Sequence, residues 1–319
     1  QDMDHLPSHQ TTSPLNRFAR SFKDFFDQGF SPAAAGNPFQ IFKRMRLFNH
    51  LQANAFGSPT IQYWHIPGQQ QREAEIDPLF TGYLSALREK EMKHLYVSLQ
   101  DALSPEWLRI SPIRALQSDA LLFVACSKNS PFYNGIGHDG NFLEHVHRQF
   151  FGAAIEETGC QIPQGYITEE ESRALLQALA SFLLTEKSSY EEKRALIDFY
   201  YALLVTMIAK KSGAHFVSFT CKDAIDRGMQ ALSEFYLLWL VLSDKDLNGT
   251  EVKKLFKETL FTRSFWARKR SILDVRFNAF MQNAKLLLAS AKDSNKMTTF
   301  RNQMEKIFKI EVMNAAALH

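Results

Sequence analysis

Cysteine is scarce in this chain: three residues in 319, at Cys126, Cys160 and Cys221. So small and odd a set excludes a disulfide framework and suits a reducing compartment. No two of the three stand at metal-ligand spacing, so neither zinc nor any other metal or cofactor is expected. Long apolar runs are also lacking. The longest, Phe235–Leu242, has eight residues, against roughly 20 for a membrane-spanning helix. Residues 1–30 lack the basic-then-apolar layout of a signal peptide. A net charge of +3 with a pI near 8.6 is too mild to imply a nucleic-acid partner. Internal repeats and low-complexity segments are missing as well. These absences predict a soluble protein with no transmembrane segment.

At 45% hydrophobic and 22% charged residues, the composition is that of a globular protein large enough to bury a core. From Leu15 to Leu51, aromatic and basic residues recur at helical spacing, which predicts two helices and a possible N-terminal cap over residues 1–55. Strands are expected at Ile61–Ile66, His94–Leu99, Ala120–Cys126 and His215–Thr220. Helices are expected at about Pro78–Lys90, in two segments between Ile167 and Lys211, over Met229–Leu242, and beyond Gly249. Glu169–Glu171 at one helix start, and Lys210, Lys211 and Gly213 at another's end, are the matching electrostatic and capping signals. Few strands among long helices predict a single mixed α/β (α+β) domain over 1–319 with heavy helical decoration. The final Ala315–His319 resembles a vector-encoded tail and is set aside.

The informative stretch is AHFVSFTCKDAIDRGMQALSEFYLLWLVL, Ala214–Leu242. A buried strand runs into Cys221; Arg227 follows six positions later and opens a helix with scarcely a polar face. The bare Cys-x5-Arg spacing is weak, and the strand–turn–helix around it is what gives it meaning. Backbone N–H groups of such a turn converge, and the helix N-terminus adds positive potential, which suits an anion. The same field favours a thiolate at Cys221. Arg227 can grip two oxygens of a phosphate. The expected chemistry is therefore attack of the Cys221 thiolate on a phosphate ester.

CKDAIDR resembles the signature of the cysteine-dependent phosphoinositide phosphatases. Lys222, Ala224 and Asp226-Arg227 match the CKSAKDR form of the inositol polyphosphate 4-phosphatases. The related form CKSGKDR occurs in bacterial secreted effectors of the SopB and IpgD type. Asp223 and Asp226-Arg227 match the Sac lipid phosphatases, and the overall pattern is similar to Legionella 3-phosphatase effectors of the SidF and SidP type. The likeness covers about eight residues of 319. It implies a cysteine-phosphatase-like core sheet, a phosphoinositide headgroup at a membrane surface as partner, and a 3-phosphate as first choice of bond. It also implies secretion by a bacterium into a host cytoplasm. Carried over by position, Cys221 is the nucleophile, Arg227 the phosphate clamp and Lys222 the contact to a further ring phosphate. Ala224, Ile225, Asp226 and Gly228 complete the substrate loop, with Asp226 also suited to holding the loop through backbone N–H groups.

Two features depart from the pattern. Tyrosine phosphatases have His before the cysteine and glycines within the loop; Thr220, Ala224 and Asp226 stand there, which counts against phosphotyrosine. Most relatives carry Thr or Ser after the arginine; Gly228 stands here, so the hydroxyl that supports the thiolate is expected from Thr220 or a water. The general acid is open between Asp223 in the loop, Asp101 after the second strand and Asp139 in a Gly-rich loop. His215 is expected to be an ordinary satisfied strand residue. The basic stretch Thr262–Arg276, with Arg263, Arg268, Lys269, Arg270 and Arg276 around Phe265 and Trp266, is balanced between a solvated helix face and a membrane contact. The same holds for Arg17, Arg20, Lys23, Lys43, Arg44 and Arg46. Two rivals accompany the lipid phosphatase: a phosphatase for soluble inositol polyphosphates or phosphoproteins, and a catalytically inactive phosphoinositide-binding module. Oligomeric state is not legible.

Overall fold

A computed structural model describes residues 60–62, 74–76, 78–135, 140–152, 154–221, 224–243, 247–262 and 270–308. The two N-terminal helices expected from Leu15 to Leu51 lie outside these residues. The elements run β1 (Thr60–Gln62), β2 (Ala74–Ile76), α1 (Pro78–Glu89), β3 (His94–Ser98), α2 (Trp107–Ala115), β4 (Leu121–Cys126), α3 (Phe142–Phe151), α4 (Ile155–Thr158), β5 (Cys160–Gln161), α5 (Glu169–Leu183), α6 (Tyr190–Ser212), β6 (Phe216–Thr220), α7 (Arg227–Leu242), α8 (Thr250–Lys257, continued by a π-turn over Glu258–Thr262), α9 (Asp274–Ala291) and α10 (Ser294–Phe308). The architecture is mixed α/β, 62% helical around a four-stranded mixed sheet.

The sheet order is β5-β4-β3-β6, with β4, β3 and β6 parallel and β5 antiparallel at the edge; β1 and β2 form a separate antiparallel pair. Both faces of the parallel strands are covered, so β4 reads as an unbroken apolar run, while β3 and β6 bury His94, Ser98, Ser218 and Thr220 among their apolar residues. Leu95, Val97, Leu122, Val124, Val217 and Phe219 join the larger core, under the helices from α3 onward. Tyr96, Leu121, Phe123 and Ala125 join a smaller core with α1 and α2. Paired residues His94↔Phe216 and Ser98↔Thr220 put the ends of β3 and β6 level. Everything that follows those strands therefore emerges on one edge, the usual position of ligand sites in open α/β sheets.

Local signals explain the helix ends. Thr168 with Glu171, and Ser189 with Glu192, form reciprocal capping boxes at α5 and α6. Gly213 closes α6 in the left-handed region. Three helices escape the sequence pattern: α2, which holds Pro112 internally, α3, started by the Asn141 side chain accepting the Glu144 N–H, and the four-residue α4.

Candidate active site

Cys221 lies one residue beyond β6 and is buried, and α7 begins at Arg227, two residues before the start expected from apolar periodicity. The N-cap residue Asp226 makes no side-chain capping hydrogen bond to α7, so among the described residues the helix's first N–H groups face the loop. Ala224 sits in the left-handed region with φ 54°, a conformation rare for a residue with a Cβ; the related CKSGKDR motif has glycine at that position. The Ala224 and Ile225 side chains are fully buried, so they can line a ligand only through their backbone.

Arg227 is held by a residue the sequence did not suggest. Nη1 donates to the Leu99 carbonyl at 3.1 Å and to Glu106 Oε2 at 2.8 Å, and Nη2 donates to Glu106 Oε1. Glu106 Oε2 also accepts the Asp101 N–H at 2.8 Å. Among the described residues, three of the guanidinium's five N–H groups are thereby used, and the Nε–H and second Nη2–H lie together on one edge of the plane. That edge is a ready fork for two phosphate oxygens. Burial pushes the Glu106 carboxyl up, but the Arg227 hydrogen bonds and charge outweigh it and hold it below the usual carboxylate range. Burial likewise opposes the Arg227 charge, and Glu106, then Cys221 and Asp101, outweigh it.

Gly228 has a packing cause. A Cβ there would stand 2.8 Å from the Phe219 carbonyl oxygen and 3.6 Å from the Ala224 Cβ, so the hydroxyl residue of the relatives does not fit this backbone. Gly228→Ala is expected to lower unfolding stability by about 1–3 kcal/mol through overpacking. Denaturant midpoints of the two proteins check this, and an unchanged midpoint would show that the α7 start can shift freely.

Several sequence expectations are corrected. The Thr220 hydroxyl donates to the Val97 carbonyl at 3.1 Å; it ties β6 to β3 and is not free for the thiolate. Asp226 does not face a substrate: its carboxylate accepts from Arg270 at 2.9 and 2.7 Å and from the Leu273 N–H at 3.0 Å. It does accept a backbone N–H as expected, but from a segment 47 residues away. Arg270 and Arg276 are both tied to the protein itself, the latter donating to the Lys128 carbonyl at 3.3 Å, although the Arg270 side chain stays 37% exposed. His215 is satisfied as expected, its Nδ1 accepting the Lys93 N–H at 3.1 Å, but it stands one residue before β6 and not in the strand. Asp101 emerges on the same sheet edge, buried, with Oδ1 accepting the Leu103 N–H at 3.0 Å. Lys222, Asp223, Asp139, Arg263, Phe265, Trp266, Arg268, Lys269 and the N-terminal basic set lie outside the described residues.

A second polar group is sealed beneath α7. Lys128 Nζ stands 3.0 Å from Asp198 Oδ1 and 2.5 Å from Glu234 Oε2. Asn283 Nδ2 donates to Asp198 Oδ2 at 2.8 Å and to Glu234 Oε1 at 2.7 Å. Gln230 Nε2 donates to Glu234 at 2.8 Å, and the Tyr133 hydroxyl to Asp198 at 3.0 Å. The available signal was three polar residues, Asp198, Gln230 and Glu234, within the mostly apolar stretches 195–209 and 228–242 of their helices.

A cavity of about 960 Å3 beside β5 and the start of β4 is lined by Asp119, Phe151, Cys160, Gln161 and Tyr166 among others. It does not combine a nucleophile with a free cation: burial pushes the Cys160 thiol up to about 11, and Arg114 is paired with Glu156 at 2.8 Å. Among the described residues, no group of three or more His, Cys, Asp and Glu side chains could hold a metal ion, and no helix is long and apolar enough to cross a membrane. Comparison with protein-family models, with curated proteins and with solved structures found no match.

Proposed function

We propose that the chain is a cysteine-dependent phosphatase that hydrolyses a phosphomonoester of a phosphoinositide headgroup. The observation that carries this is the Arg227 guanidinium, oriented by Glu106 and Leu99 with its Nε–H/Nη2–H edge left over, at the mouth of an uncapped helix that follows Cys221. In the first step the Cys221 sulfur attacks phosphorus and the bond to the inositol oxygen breaks. An Asp, one of Asp101, Asp139 and Asp223, protonates the leaving oxygen. Water then cleaves the sulfur–phosphorus bond and releases inorganic phosphate. The lipid headgroup, the 3-phosphate, and action on a host membrane after secretion rest on the motif resemblance.

One observation favours the rival binding module. With Gly228 lacking a hydroxyl and Thr220 bonded to Val97, no described neighbour in the motif supplies a hydroxyl to the thiolate. Phosphate release across the full panel of phosphoinositides, with chelator present, separates the two. Turnover supports the enzyme; headgroup binding without turnover makes the chain the module.

Lys222 provides a sharper expectation. A side chain next to the cysteine can lean over the rim toward ring phosphates beside the scissile one. Lys222→Ala should lower kcat/KM more for 3,4-bisphosphate and 3,4,5-trisphosphate lipids than for the 3-phosphate. A lost charge-assisted contact is worth roughly 1.5–3 kcal/mol, so the discrimination should change about ten- to a hundredfold. Equal losses on all three lipids would make Lys222 a loop-stabilising residue.

A further inference from the structure

The sealed cluster under α7 connects to the Cys221 loop by two routes. Arg227, Gln230 and Glu234 occupy positions i, i+3 and i+7 of one helix and so share a face. Lys128 follows β4 on the same sheet edge; its Nζ binds Glu234, while its N–H donates at 3.3 Å to the Leu99 carbonyl, the same oxygen that accepts from Arg227. Lys128 therefore grips the clamp's helix with its side chain and the clamp's backbone anchor with its main chain.

We propose that Lys128, through Glu234 and Asp198, is a positioning residue that sets the orientation of the Arg227 guanidinium in the Cys221 loop. The proposal rests on the phosphatase reading only for its catalytic consequence. The positioning itself concerns the geometry of Arg227 and Cys221.

The cluster is also built to carry a proton. One cation faces two carboxylates, all three side chains no more than 1% exposed. Burial first, and the Asp198 charge second, push the Glu234 carboxyl up to about 7, against the opposing pull of Lys128. Among the described residues, Gln230 Oε1 and Asn283 Oδ1 are buried acceptors without a hydrogen-bond partner, so either can accept a hydrogen bond from the protonated carboxyl once its amide turns. The groups around Glu234 are Lys128 after β4, Asp198 on α6, Gln230 on α7 and Asn283 on α9, with Tyr133, Arg194 and Arg276 behind them. A carboxyl raised above its unfolded value near 4.5 stabilises the fold fully below that pH, and the contribution is lost as pH rises toward about 7. The Lys128–Glu234 attraction strengthens over the same interval.

The test compares the unmodified protein with Glu234→Gln and with the charge-free triple variant K128M/D198N/E234Q. Thermal midpoints and Cys221 alkylation by iodoacetamide, located by mass spectrometry, are followed from pH 5 to pH 9. In the unmodified protein the alkylation rate is expected to show an inflection near pH 7 besides the thiol's own titration. In Glu234→Gln that inflection should vanish, with the rate at pH 8 changed by about threefold or more. If the triple variant does not fold, Glu234→Gln alone decides. Alkylation profiles that superimpose in all folded variants would overturn the proposal. The readout needs no turnover, so an inactive protein with a shifted profile would sink the phosphatase and leave the positioning role standing.

Discussion

Replacing Cys221 with serine abolishes phosphate release, by about 10³-fold or more, while leaving headgroup binding within a few-fold of the parent. The asymmetry follows from the loop. On the proposed reading, binding would draw on the first N–H groups of α7, on Arg227 and on Lys222, and not on the sulfur. The chemical step needs a nucleophile that is anionic at neutral pH, and a serine hydroxyl with no hydrogen-bonded base is not. Isothermal titration with a short-chain lipid, beside phosphate release, checks both halves. Residual activity within tenfold of the parent would remove Cys221 from the nucleophile role.

Arg227→Lys should be nearly as damaging as Arg227→Ala, each costing about 10²–10³-fold in kcat. An ammonium can satisfy Glu106 or the phosphate but cannot do both in one plane. The paired residue separates chemistry from stability. Arg227→Ala alone leaves the Glu106 carboxylate, only 20% exposed, without its cation. Arg227→Ala combined with Glu106→Gln should regain thermal stability without regaining activity. A lysine variant that kept most of the rate would show that a point charge suffices.

The parallel strands could be read from sequence because burial on both faces makes them mostly apolar, continuously so in Leu121–Cys126. The long helices α5 and α6 showed themselves through caps and charge at their ends. β5 could not be read: two residues, Cys160 and Gln161, carry no periodicity. α2 was hidden because Pro112 normally argues against a helix. At the site, Cys221 and Arg227 were legible because the turn is local. Glu106 was not, since it reaches Arg227 across 121 residues. Asp226 looked like a loop ligand, yet its partner Arg270 lay in a stretch whose positive charge suggested a surface. Gly228 read as a lost hydroxyl; the cause is the Phe219 carbonyl, which leaves no room for a Cβ.

The most direct test is to trap the intermediate. The protein is mixed with a 3-phosphorylated inositol lipid in chelator, quenched within the first turnover, and its peptides are weighed. The account predicts one added phosphoryl group on the peptide that contains Cys221, absent in Cys221→Ser. Phosphate released with no label on Cys221 at any quench time would contradict it.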